Sequence, residues 1–112
     1  MATVRDMVKE MQREIRDTDL QPDRAAELLV KLTALLGNCN DEIREADHFY
    51  AEVLLGYLDS NEAANRAKIR AETSEQYMRK RKARDTKELV VELVRSLKYL
   101  LKSNEEAMRL AR

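Results

Sequence analysis

Ten residues between Ala25 and Tyr57 recur at alternating intervals of four and three: Ala25, Leu29, Leu32, Leu36, Cys39, Ile43, Ala46, Tyr50, Val53 and Tyr57. This spacing, an apolar position every 3.5 residues, draws one unbroken stripe along a helix and obliges another helix to cover it. Leu28, Leu35, Phe49 and Leu54 widen the stripe. Gly37-Asn38-Cys39-Asn40-Asp41 has the form of a helix C-cap followed by a new N-cap. The phase nevertheless carries through it. One helix over residues 22–58 is therefore favoured over a helical hairpin broken near 37–40.

The rest of the chain also reads as helix. It holds 15 Leu and 13 Ala but only 10 Val plus Ile, with 2 Gly and 1 Pro among 112 residues. Good helix formers dominate and turn residues are scarce, so the helices are few and long. A first helix over about 3–17 opens on Thr3 with Asp6 three residues on, and its stripe is Val4, Met7, Val8, Met11 and Ile15. Pro22 suits the first turn of the second helix. A third helix over 61–83 carries the small seam residues Ala64, Ala67, Ala71 and Ser74, with Asp59-x-x-Glu62 as its cap and a break point near 73. Asp85-x-x-Glu88 then opens a last helix over 86–110 with a broad face of Leu89, Val90, Leu93, Val94, Leu97, Leu100 and Leu101. The expected fold is one all-α domain over residues 1–112, an elongated bundle of few long helices.

An uninterrupted helix from Pro22 to Leu58 would be about 55 Å long, against a radius of gyration of about 13 Å for a compact chain of this size. One chain offers little material to cover both the seam and the last helix, so a homo-oligomer is expected to complete the bundle. The expected interface is Leu29, Leu32, Leu36, Ile43, Tyr50, Val53 and Tyr57 of the seam, with Leu93, Leu97 and Leu100.

Several functions lose their footing in the residue inventory. One His and one Cys leave no Ser/His/Asp or Cys/His set, and no Gly-rich phosphate loop occurs. No cofactor and no metal are expected. Glu45-x-x-His48 has the spacing of a di-iron pair, but a bundle site needs two such helices and further glutamates; a solvated acidic face is the plainer reading. Cys39 lies in the seam as a small buried hydrophobe. The N-terminus is charged from Arg5 with no apolar core for a signal peptide, and no apolar run of membrane length exists. A cytoplasmic protein with no membrane partner is expected.

The net charge is zero but uneven. Residues 1–60 carry net −6, residues 61–87 net +5 and residues 88–112 net +1. The basic part holds Arg66, Arg70, Tyr77, Arg79, Lys80, Arg81, Lys82 and Arg84. Cations beside an aromatic ring suit a phosphate backbone with a base to stack, so nucleic acid is the first candidate partner. The same residues could instead pair with the acidic half, in cis or in a partner, as a clamp.

Glu42-x-x-Glu45 with Glu72-x-x-Glu75 resembles the paired carboxylates of the all-α nucleotide pyrophosphohydrolases of the MazG and dUTPase type. That resemblance implies magnesium held between two facing helices. Here the second pair ends in Glu75 where the family has Asp, and contains Thr73-Ser74 where it has firm helix. Residues 67–77 (AKIRAETSEQY), 87–89 (KEL) and 95–102 (RSLKYLLK) resemble small helical proteins of tailed phages and prophages. This implies an accessory protein acting in nucleic-acid metabolism or against the host. Three functions follow. The first is a non-enzymatic oligomeric protein that binds nucleic acid through residues 66–84. The second is an anti-defence or regulatory protein that binds a host protein or a small anionic nucleotide ligand between subunits. The third is a pyrophosphohydrolase.

Overall fold

The computed structural model describes residues 3–60 and 62–111. It is all-helical: α1 (Val4–Asp17), α2 (Pro22–Asp59), α3 (Ala64–Glu72) and α4 (Glu75–Leu110), with no strand among the described residues. None of these helices is long and apolar enough to cross a membrane.

Local chemistry sets the ends. The Thr3 hydroxyl accepts from the Asp6 N–H and the Asp6 carboxylate accepts from the Thr3 N–H, both at 3.1 Å, closing a reciprocal cap on α1. Pro22 opens α2, where its missing N–H leaves no bond unmade. α2 then runs 38 residues, about 57 Å, without a break at Gly37–Asp41. Gly37 keeps ordinary helical backbone rather than the left-handed turn that a C-cap uses.

The break between α3 and α4 falls at Thr73–Ser74, with neither Gly nor Pro. The Thr73 hydroxyl donates to the Arg70 carbonyl at 2.8 Å and the Ser74 hydroxyl to the Ala71 carbonyl at 2.5 Å, while the Ser74 oxygen accepts from the Tyr77 N–H. Side-chain hydroxyls thus take over the carbonyls and N–H that a continuing helix would have paired.

Two sequence expectations are corrected here. α3 begins at Ala64 with no side-chain cap, because Glu62 turns to Arg70 instead. No helix starts at Asp85: α4 is continuous from Glu75, capped by Ser74, and Thr86 is buried inside it. A capping-box spelling inside a helix is no start signal when the backbone on its N-terminal side is already helical.

α2 lies antiparallel to α3 and α4, since Asp47 meets Arg84, Tyr50 meets Tyr77 and Tyr57 meets Arg70. α1 folds back through residues 18–21 and packs on both long helices. The core is Val4 and Val8 of α1, Ala25, Leu28, Leu32 and Cys39 of α2, and Val90, Leu93, Val94 and Leu97 of α4. The molecule measures 72 × 28 × 22 Å, with a radius of gyration of 19.6 Å.

This packing also corrects the expected interface. Leu32, Leu93 and Leu97 are buried within the chain, so they are core rather than contacts between copies. α4 alone spans 36 residues, long enough to cover most of α2. Leu29, Leu36, Ile43, Tyr50, Val53, Tyr57 and Leu100 are half-buried. Of the alternating seam, the row Ala25, Leu32, Cys39 and Ala46 is sealed against α4, and the row Leu29, Leu36, Ile43 and Tyr50 is only partly covered.

Candidate nucleic-acid interface

The basic segment begins on α3 and continues along the first turns of α4, opposite the acidic part of α2. Three of its seven cations meet a carboxylate, two of them on α2. Arg79 Nη2 lies 3.3 Å from Glu45 Oε1, and its guanidinium sits 5.1 Å from the centre of the Phe49 ring. Arg84 Nη2 donates to Asp47 Oδ2 at 2.9 Å. Arg70 pairs with Glu62 and covers the Tyr57 ring at 4.9 Å. Lys80 Nζ stands 4.4 Å over the Tyr50 ring. Each such exposed pair contributes about 0–1 kcal/mol and each cation–ring contact about 0.5–1 kcal/mol. Together they join the distal parts of α2, α3 and α4.

Tyr77, expected to offer a ring for stacking, is half-buried with its ring centre 5.5 Å from that of Tyr50 and tilted 46° to it. Burial pushes the Tyr50 hydroxyl pKa up. Arg66, Arg81 and Lys82 are exposed and have no carboxylate at ion-pair distance among the described residues. Of the eight residues read as one binding segment, the fold leaves these three with free charge and turns the other five toward α2 or its loop. The sequence reading missed the partners Phe49, Glu45, Asp47 and Glu62. The net −6 of residues 1–60 allowed such a clamp, in cis or in a partner, without naming the residues that form it.

Two hollows flank the long pair. One, of about 470 Å³, lies between α2 and α4 and is lined by Ile43, Arg84, Lys87, Glu88, Val91 and Arg95 among others. The second, about 440 Å³, sits at the start of α1 beside Arg5, Asp6, Glu42, Arg79 and Lys82. Both mix charges of the two signs.

The other sequence candidates are dispersed. Glu45 faces Arg79, and the break at Thr73–Ser74 places Glu72 and Glu75 on different helices. Among the described residues, no three His, Cys, Asp or Glu side chains gather as metal ligands. His48 Nε2 lies 3.1 Å from Glu52 Oε1 on an exposed face. Cys39 is buried, and desolvation pushes its thiol pKa up. No family model, no curated protein and no solved structure matches the chain.

Proposed function

We propose that this chain is a non-catalytic helical interaction protein that works by docking to protein surfaces, a second copy of itself among them. The observation that carries this reading is the cis clamp. Arg70, Arg79 and Arg84 face carboxylates and Lys80 faces a ring, so the segment best suited to phosphate serves to hold the fold. The resemblance of residues 67–77, 87–89 and 95–102 to phage and prophage proteins supports an accessory role of this kind.

Nucleic-acid binding through Arg66, Arg81 and Lys82 is the second reading, because these three exposed cations retain their charge. Fluorescence anisotropy with labelled single-stranded and duplex DNA over a salt series separates the two. The first reading expects no salt-dependent binding at about 50 mM salt, where phosphate contacts are strong. It also expects Arg79→Glu to lower thermal stability, through repulsion from Glu45, and Arg81→Glu to leave it unchanged. Tight binding whose salt slope falls by about 1 with Arg81→Glu would transfer the function to nucleic acid.

A further inference from the structure

One exposed stripe of α4 makes only two ion pairs within the chain, Arg84 with Asp47 and Arg95 with Glu92. Arg84, Glu88, Val91, Glu92, Arg95 and Tyr99 recur at helical spacing on the side turned away from the core; Val91 is half-buried and Tyr99 is 75% exposed. Turned end for end about its centre, the stripe sets Glu88 against Arg95, opposite charges. Glu88 and Arg95 are equidistant from a point between residues 91 and 92. So are Arg84 and Tyr99, and so are Val91 and Glu92.

We propose that two copies pair antiparallel through this stripe, with a two-fold axis between residues 91 and 92 of α4. In that register each Glu88 meets the partner subunit's Arg95, and each Arg84 meets the partner subunit's Tyr99 ring. Val91 meets the aliphatic stem of the partner subunit's Glu92. Two-fold pairing of one patch with itself requires this kind of self-complementarity. Parallel pairing would set Arg84 against Arg84 and Glu88 against Glu88, at a repulsive penalty. Arg95 already holds Glu92 through Nη1 at 3.0 Å, and its guanidinium has further N–H groups for a second carboxylate.

The register also has ends. Arg81 and Lys102 would face each other with like charge, which confines contact to residues 84–99, about 23 Å of helix. The partner helix would close the α2–α4 hollow beside Ile43. An interface this small gives a dimer that dissociates at micromolar concentration rather than an obligate one.

This inference rests on the interaction-protein reading and names one partner surface for it. Sedimentation equilibrium between about 1 and 200 μM tests it. The expected result is a monomer–dimer equilibrium weakened at least about tenfold by Glu88→Arg or Arg95→Glu alone and restored within about threefold when both are combined. These positions are exposed, so circular dichroism should show unchanged helix. Val91→Cys should give an oxidised dimer that Arg95→Glu abolishes, with buried Cys39 contributing no cross-link.

A wild-type monomer throughout that range, single reversals without effect, or a double variant that fails to recover would each overturn the proposal. A monomer would also remove self-association from the proposed function, whereas docking to other proteins stands or falls on the nucleic-acid measurement above.

Discussion

Arg5 of α1 donates from Nη1 to the Thr86 hydroxyl of α4 at 3.0 Å. Thr86 is the only buried polar side chain among the described residues, and its hydroxyl in turn donates to the Lys82 carbonyl at 2.8 Å. A group that is both donor and acceptor is thereby satisfied on both counts, and the start of α1 is tied to the first third of α4. Thr86→Val keeps the shape and removes the bonds. It should lower stability by about 1 kcal/mol, read as a shifted urea midpoint with an unchanged slope. Arg5→Met should add little on top of it, since both changes remove one interaction.

The core leucines make a sharper test. Leu32 and Leu97 are fully buried between α2 and α4. Leu32→Asp or Leu97→Asp should cost about 3–5 kcal/mol by placing an unpaired charge in the apolar interior. Because the contact lies within one chain, the loss should be the same at every protein concentration. A loss that shrinks as concentration rises would place these leucines between copies instead.

Gly37 offers a gain. A Cβ built there meets nothing within 4 Å, and the backbone is helical. Gly37→Ala should therefore stabilise by about 0.5–1 kcal/mol, as in any exposed helix interior. A helical hairpin turning at Gly37 would respond with destabilisation, so thermal melting of this one variant checks the continuity of α2.

The tie between α1 and α2 should depend on pH. Arg24 donates to both Glu14 oxygens, at 2.6 and 2.8 Å, which holds the Glu14 carboxyl below its ordinary pKa of 4.5. Hydrogen bonds from Thr3 likewise lower the Asp6 carboxyl below 3.8. A carboxylate whose folded pKa is depressed stabilises the fold above its unfolded pKa, and that contribution fades as pH falls through the folded value. The protection of α1 amides, corrected for their intrinsic exchange at each pH, should therefore fall below about pH 4, and Glu14→Gln should flatten the part that belongs to Arg24.

The all-helical class was legible because periodicity and composition act locally. Thr3 with Asp6, Pro22 and the unbroken phase through Cys39 all read directly, since each depends on neighbours within one or two turns. What covers Leu32 was not legible. The stripe states that a helix must lie on it, but a helix of the same chain and one of a second copy satisfy it equally. The partners of the basic segment were illegible for the same reason. Charge in Arg79 and Arg84 is visible in the sequence, whereas its neutralisation by Glu45 and Asp47 depends on the antiparallel register of residues some 35 positions apart, which no local rule supplies. Asp85 shows the converse error, a local signal overridden because α4 was already helical before it.

α1 is 14 residues long on a molecule of 72 Å, so only one end has three helices in section. All the large core side chains gather at that end. Beyond it the buried residues are Ala46, Ala67, Ala71 and Ala83, with rings and ion pairs on the rim. Apolar burial scales with area, so the molecule has a firm root and a lightly held arm. Opening of the arm would leave the root intact, and the chain would loosen from Tyr57 and Arg70 inward like a fork rather than melt at once along its length.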